Sequence, residues 1–576
     1  MSPPPEAKKA NGPKQNPQTP VVAQQPAPVA ANAANAANAS TTPHPPQDLA
    51  VDPEAQPLLG RRPLNPDDPQ VSPLRLPKIR FLQNLTRVVL VINVIATLLA
   101  WLSDFINIPG FFSRGRSFYE DVVLLMAALT NVVTLWKIDV PSKYERVIDF
   151  FQAGFLLIDL ITILTVPVLR DALGFFGTFA TLWLMLMVLH DALVNYKVEG
   201  AKEYQEIRLT GRIEPRKSVT ELFVTFIKSV VKSVMLVLVI LLSWRLSLYA
   251  FDTHEAPWGE LVPVQEGQFR VHLSCYGDVH KSSLTKPGKP DKRQPIVLVE
   301  GGQLTSSEEF QEWIEELYNL GSIERYCIWD RPGYAFSDSS PSPSSIGIVT
   351  EYLAQALAEQ GIEGPFSLVG FDIGGLYSRM FASKKPEKIH SIMLVDAWSE
   401  DLLKHDPFSG SKHKKEPRKI FRHVLEPMDT WTGFKLWLRG VVSPFGVIPG
   451  LHWLWHPRRY SSKSRIFGKD MYYSSKYLRA RLQEQVTSGV LSYNELKGAD
   501  IHGLPLAVIS SDHMIKKSQN WGEWQRELTQ LSDDLFKWEV AEESDHFIWK
   551  SPKGRKQLQK LLLSLVSSKR KYDPLK

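Results

Sequence analysis

Apolar positions follow three different patterns along this chain of 576 residues. Up to about residue 78 they are sparse: Pro, Ala, Asn and Gln dominate, an Ala-Asn repeat runs from 31 to 39, and aromatic residues are almost absent. Such a stretch cannot bury enough apolar surface to order itself, which predicts a disordered tail over residues 1–78. It has no basic segment leading into an apolar core, so it does not read as a cleaved signal peptide. Between 79 and 252 the apolar residues gather into long runs, Val88 to Leu102, Val122 to Trp136, Phe150 to Leu169, Ala172 to Val194 and Ser233 to Tyr249. Each approaches the ~20 residues needed to cross hydrocarbon, predicting about five transmembrane helices. The second run is the shortest and starts beside Glu120 and Asp121.

From 253 to 576 the period changes to short strands alternating with amphipathic helices. Gly259 to Val264 and Phe269 to Ser274 read as a hairpin closed through Glu266-Gly267-Gln268. Pro295 to Val299 is a near-continuous apolar run of the kind buried on both faces of a parallel sheet. A helix through Phe310 to Leu320, the strand Tyr326 to Trp329 and a helix around Val349, Leu353 and Leu357 follow. Alternation at this spacing predicts a parallel α/β sheet.

Charge adds an orientation. Arg75, Lys78, Arg80 and Arg87 precede the first run, Lys137, Lys143 and Arg146 follow the second, and Lys197, Lys202, Arg208, Arg212, Arg216 and Lys217 follow the fourth. The opposite loops carry Arg114, Arg116 and Arg170. By the positive-inside rule the N-terminus is cytosolic, and five crossings place the α/β domain on the lumenal or extracytosolic side; four crossings would return it to the cytosol. No Asn-x-Ser/Thr site beyond residue 250 adds support. Asp159 within the third run should face a helix neighbour or a water-filled cavity, and helix packing is favoured over transport because His190 and Asp191 alone make no relay. The net charge of +6 is small for this length, and the basic residues are scattered, so no nucleic-acid partner is implied. Cys275 and Cys327 cannot form a disulfide framework, and core packing is the expected fate of Cys327. No zinc-type cluster appears, and no cofactor is expected. In the tail, Glu54-Ala55-Gln56-Pro57-Leu58-Leu59 resembles acidic dileucine signals that sorting adaptors read towards endosomes or vacuoles, set against chance occurrence in a disordered segment.

The stretch Phe366 to Gly375, FSLVGFDIGG, runs from an apolar strand into a glycine-flanked turn that opens a helix, a G-x-S-x-G pattern with Asp372 at the serine position. Together with VLVEGG at 297–302, WDRPGYAFSD at 329–338, IMLVDAW at 392–398 and ESDHFI at 543–548, it resembles the α/β-hydrolase superfamily. The resemblance implies an α/β-hydrolase sheet over 253–576 with a helical lid at about 398–500. It also implies a nucleophile on the turn after the fifth strand and a catalytic histidine near the C-terminus. That histidine position is His546, a general base for water. Its orienting acid is Asp396, where enzymes with an aspartate nucleophile often carry theirs, or alternatively Asp512, where many serine members do. The oxyanion hole would be the amide of Ile373 with that of Gly302 or Gln303, although Glu300-Gly301 replaces the usual His-Gly.

Asp372 selects the chemistry. A carboxylate attacking an ordinary ester would form a mixed anhydride, whereas attack on an sp³ carbon of an epoxide or halide gives an alkyl ester that activated water can cleave. This implies an epoxide hydrolase or dehalogenase-like reaction on an apolar or lipidic substrate. Phe371 and Ile373, where such enzymes carry histidine and often tryptophan, keep open a hydrolase-like module that binds without turnover, or a serine-esterase-like relative with unusual chemistry. The lid offers Tyr460, Tyr472, Tyr473, Tyr477 and Tyr493 as candidates to hold an epoxide oxygen. Trp431, Trp437, Trp453 and Trp455, with Lys412, Lys414, Lys415, Arg418 and Lys419 nearby, would suit membrane lipids, or the lid's own core and a solvated loop.

Overall fold

The computed structural model describes residues 71–211, 213, 218–280, 293–405, 430–457 and 461–568. The dileucine segment at Glu54, Leu58 and Leu59, the basic run from Lys412 to Lys419, Tyr460, and Arg212, Arg216 and Lys217 lie outside the described residues.

Five helices make the N-terminal region: α1 (Pro77–Ser103), α2 (Tyr119–Leu135), α3 (Lys143–Thr165), α4 (Pro167–Thr210) and α5 (Val219–Asp252). Four of them, α1, α3, α4 and α5, are long and apolar enough to cross a membrane. Helix α2 has 17 residues, about 25 Å at ~1.5 Å per residue against a hydrocarbon layer of ~30 Å. Most of α2 is buried in the bundle, where its neighbours rather than lipid cover it. The predicted third run, Phe150 to Leu169, is divided at Val166, whose ψ of 107° is extended as expected before Pro167.

The helix ends fall in two groups. At one end the α2–α3 connection meets the start of α5, where the Lys228 ammonium contacts the carbonyls of Lys137 and Val140 at 3.4 Å. At the other end the α1–α2 connection is bound to the C-terminal domain: the Ser339 amide donates to Arg114 O (2.8 Å), the Ser339 hydroxyl to Arg116 O (2.8 Å) and Gln483 to Asp104 O (2.5 Å). The buried Arg116 guanidinium sits among Glu120 (2.8 Å), Asp121 (3.3 Å) and Asp104 (3.4 Å) at this seam. Gly115 packs on Ala172, bringing the start of α4 to the same level.

Inside the bundle, Asp159 accepts a hydrogen bond from Ser243 of α5 at 2.9 Å, a helix-packing role. His190 contacts Thr86 at 3.0 Å, while Asp191 binds Thr134 (2.5 Å) and Lys232. Lys232, fully buried, also pairs with Asp149 at 2.6 Å, an ionic cluster linking α3, α4 and α5 that the run-by-run reading missed. The ionic partners come from three separate helices, so no single run displays them.

The C-terminal domain is an eight-stranded sheet: β1 (Glu260–Val264), β2 (Phe269–Tyr276), β3 (Ile296–Glu300), β4 (Tyr326–Trp329), β5 (Phe366–Phe371), β6 (Ile389–Val395), β7 (Leu506–Ser511) and β8 (Leu535–Ala541), in the order β1-β2-β4-β3-β5-β6-β7-β8. The β1–β2 and β2–β4 pairings are antiparallel and the rest parallel. Strands β3, β4, β5 and β7 are buried along their length and β6 at all but His390, the reason they read as largely apolar runs. Helices α6 (Ser307–Asn319), α7 (Ile346–Glu359) and α8 (Gly374–Lys384) cover its faces together with the C-terminal helix Pro552–Val566, which packs on Phe310, Trp313 and Ile314 of α6 and on β6 to β8. Cys275 and Cys327 face each other across the antiparallel β2–β4 ladder and are joined as a disulfide, rather than packing as two separate core thiols. The reason is register: residues directly opposite on neighbouring strands bring their Cβ atoms within bridging range, which spacing in the sequence does not reveal.

Candidate active site

The β5–α8 turn carries the centre of the site. Asp372 has φ +56°, a left-handed conformation costly for a side-chain-bearing residue. The turn closes only because its neighbours lack Cβ atoms. A Cβ on Gly374 would lie 2.5 Å from Gly301 O, and one on Gly375 2.4 Å from the Ala397 Cβ. The strand end is held to β6, since the Asp372 amide donates to Val395 O (3.3 Å) and Trp398 returns a bond to Asp372 O (3.0 Å).

Three predicted residues converge here, each no more than 2 % exposed. His546 Nδ1 is 2.7 Å from Asp396 Oδ2, and its Nε2 is 3.3 Å from Asp372 Oδ1. The other oxygen of Asp372, Oδ2, accepts the Gln303 amide at 2.7 Å. Of the amides considered for the oxyanion hole, that of Gln303 is the one seen bonded to this carboxylate. Gly302 instead gives its carbonyl to Arg331 (2.8 Å) and packs so closely on Phe371 that a Cβ would approach the ring to 2.7 Å. Asp512, the alternative acid, is not at the site: it starts a short helix and pairs with Lys516 at 2.6 Å.

Asp396 is locked by groups that the sequence reading did not assign. The Trp521 indole N–H donates to Oδ1 at 2.9 Å and the Ser511 amide to the same oxygen at 3.0 Å, leaving Oδ2 for the imidazole. The carboxylates of Asp372 and Asp396 hold the His546 imidazolium up at about 9 against the opposing effect of burial. Protonated at neutral pH, His546 lies between the two carboxylates, hydrogen-bonded to Asp396 and with Nε2 3.3 Å from Asp372.

Glu300, the departure from His-Gly, accepts the Trp329 indole N–H and lies 3.6 Å from Arg331. Burial pushes its carboxyl up to about 7. Arg331 donates to Gly301 O (2.7 Å) and Gly302 O (2.8 Å) while stacking against Tyr334 and Tyr377. Glu300 and Arg331 thus brace the loop that carries the Gln303 amide. From the lid, Tyr477 donates to Gln303 O (2.7 Å) and Tyr472 to Leu304 O, closing over the same loop. Tyr473 is exposed, and Tyr493 lies under the Lys404 and Lys497 ammonium groups.

Among the described residues one group could gather around a metal ion, His272, Glu308 and Asp330. Both nitrogens of His272 are already engaged, Nδ1 with Asp330 at 2.7 Å and Nε2 with the Trp258 carbonyl, so the imidazole has no free lone pair to offer.

Sheet order and the strand–turn–helix that carries Asp372 are those of an α/β-hydrolase-fold domain, preceded by a helical region with four helices long and apolar enough to cross a membrane. Residues 294–549 match the family model described as alpha/beta hydrolase fold, and residues 40–275 match a region of unknown function, DUF2417. The chain is 29% identical over 563 residues to an uncharacterized vacuolar membrane protein of Saccharomyces cerevisiae, covering 83% of this chain and 86% of the relative. It is 27% identical to an uncharacterized protein of Schizosaccharomyces pombe, covering 88% and 94%. Among solved structures, an esterase from Exiguobacterium antarcticum aligns over 54% of this chain and 100% of its own at 16% identity, TM-score 0.36. The haloalkane dehalogenase DatA from Agrobacterium tumefaciens aligns over 53% and 96% at 14%, TM-score 0.33.

Proposed function

We propose that this is a membrane-anchored hydrolase in which Asp372 is the nucleophile, and that an epoxide of an apolar or lipidic compound is the substrate class that best suits the protonated imidazole of His546. The carrying observation is the division of labour at Asp372: Oδ2 is fixed on the Gln303 amide while Oδ1 faces His546 Nε2. Attack of Oδ1 on an epoxide carbon breaks the C–O bond, and the departing alkoxide takes the Nε2 proton. His546 is then neutral, which is what a general base needs. It removes a proton from water attacking the ester carbonyl, and the oxyanion forms at Oδ2, on the Gln303 N–H. Collapse returns the Asp372 carboxylate and the imidazolium and releases a diol. A halide leaving group takes no proton, so the imidazolium would stay charged and unable to act as base; this favours an epoxide.

The two-ended arrangement of helix termini supports five passages between the same two sides, with the basic residues at the end away from the α/β domain. With the positive-inside rule this favours a lumenal domain, and the Cys275–Cys327 disulfide suits an oxidising compartment. The name of the S. cerevisiae relative suggests the vacuolar membrane. Trp431 and Trp455, 61% and 72% exposed on the lid, support contact with the bilayer surface, and Trp453 packs on Trp244 of α5.

A single-turnover reaction of the full-length protein with an epoxide panel in heavy-oxygen water tests the chemistry. Label in the Asp372 carboxylate is expected. Absence of turnover on every epoxide, with Asp372→Asn no different from wild type in binding them, would leave the module without catalysis. Protease protection of a C-terminal tag in sealed vesicles tests the orientation; digestion from the cytosolic side overturns it.

A further inference from the structure

A cavity of about 270 Å³ lies at the seam between the N-terminal helices and the α/β domain. A single water needs only ~10–15 Å³ of such space. One wall is aliphatic, made by Val168 and Leu173 from the start of α4 and Leu242 and Leu246 from the last turns of α5. The same lining carries Arg245, Arg270, Arg465 and Lys476 together with the carboxylates of Asp252 and Glu255.

The four cations are not equivalent: Arg270 is paired with Asp338 at 2.9 Å. Arg465 is matched by Asp252, which it grips at 2.5 and 3.0 Å. Lys476 donates to the carbonyls of Ala335 and Ser337, both at 2.7 Å, which leaves one N–H over. Burial pushes it down to about 8, so it stays charged at neutral pH. Arg245 has no hydrogen bond or ion pair among the described residues, and its buried Nη1 lacks an acceptor. The acids whose charge reaches it are committed elsewhere, Asp252 to Arg465 and Asp470 to His452 (2.8 Å). Its stem is pinned on Gly446, where a Cβ would meet the Arg245 Cδ at 2.8 Å. A positioned, partly buried guanidinium whose Nη1 has no acceptor is costly unless an anion completes it.

We propose that this cavity binds an anionic lipid, with the headgroup oxyanion on Arg245 beside Lys476 and an acyl chain leaving between α4 and α5. A guanidinium presents paired N–H groups matched to phosphate or carboxylate oxygens. The aliphatic wall belongs to helices able to span a bilayer, and Arg245, Arg465 and Lys476 sit at the last turns of α5 and the lid, the level at which headgroups lie. A soluble anion would leave that wall uncovered. The proposal is independent of whether Asp372 is a nucleophile, because binding needs no turnover.

The test titrates full-length protein in neutral detergent with dioleoyl phosphatidic acid, dioleoyl phosphatidylcholine, diolein and inorganic phosphate, read by native mass spectrometry and by thermal shift. Phosphatidic acid should bind at least tenfold more tightly than the two uncharged or zwitterionic lipids. Arg245→Gln should abolish that preference, and Arg245→Lys should retain part of it. Val168→Trp, at a position 46% exposed, should block the chain path without unfolding the bundle. Equal binding of phosphatidic acid and phosphatidylcholine overturns the anionic headgroup, and inorganic phosphate binding as tightly as the lipid overturns the acyl chain. If Arg245→Gln fails to fold, unchanged lipid preference in both Arg245→Lys and Val168→Trp overturns the site.

Discussion

The charge on His546 can be read out as a pH dependence of stability. An imidazolium whose ordinary value is near 6.5 is held at about 9 by Asp372 and Asp396. Because the folded value lies above the unfolded one, the stabilisation is fully present below pH ~6.5, declines as pH rises towards 9 and is gone above it. At ~1.4 kcal/mol per pH unit, the interval corresponds to about 3 kcal/mol. Replacing Asp372 by Asn removes one of the two anions and should lower the imidazolium by roughly 1–3 pH units, shrinking the effect. Replacing His546 by Gln should remove it. Glu300 and Lys476 also titrate in this window, so the informative quantity is the difference between wild type and variant. Thermal melts of full-length protein at pH 6.5 and 9.5 supply it, at roughly 2–4 °C per kcal/mol for domains of a few hundred residues. Parallel melting shifts in wild type and His546→Gln would refute the charged imidazolium and the proton accounting built on it.

Three further outcomes follow from named contacts. Trp521→Phe removes the indole donor to Asp396 and some buried volume beside it. It should cost about 1.5–3 kcal/mol in denaturant unfolding and reduce the His546-dependent pH slope. Gly374→Ala must push a Cβ into the backbone of Gly301, so it should destabilise by at least about 1–3 kcal/mol, measured by thermal melting. Asp512→Asn loses only a partly exposed pair with Lys516 and should stay within about 1 kcal/mol of wild type, with the pH slope intact; a changed slope would restore Asp512 as the acid.

Much of the fold was legible because its cause is local. Burial of β3, β4 and β5 on both faces makes unbroken apolar runs, and the elbow writes itself as glycines around Asp372. The residues that meet at the candidate site were legible in the same way: Asp372, Asp396 and His546 each end or follow a recognisable strand. What locks them was not. Trp521 and the Ser511 amide reach Asp396 from 125 and 115 residues away in the chain, and no period or motif marks such a meeting. Glu300 looked like a defect of the oxyanion loop until Trp329 and Arg331 were seen around it.

The sequence by itself determined the three regimes of the chain, the succession of strands and helices and the identity of the candidate nucleophile, because hydrophobic period and turn chemistry act between near neighbours. Only the tertiary structure placed Asp396 rather than Asp512 beside His546, joined Cys275 to Cys327, paired Lys232 with Asp149 and Asp191, and left Arg245 without an anion beside a cavity lined in part by α4 and α5. Each of those depends on which distant residues share a place, and burial sets their energies once they are there.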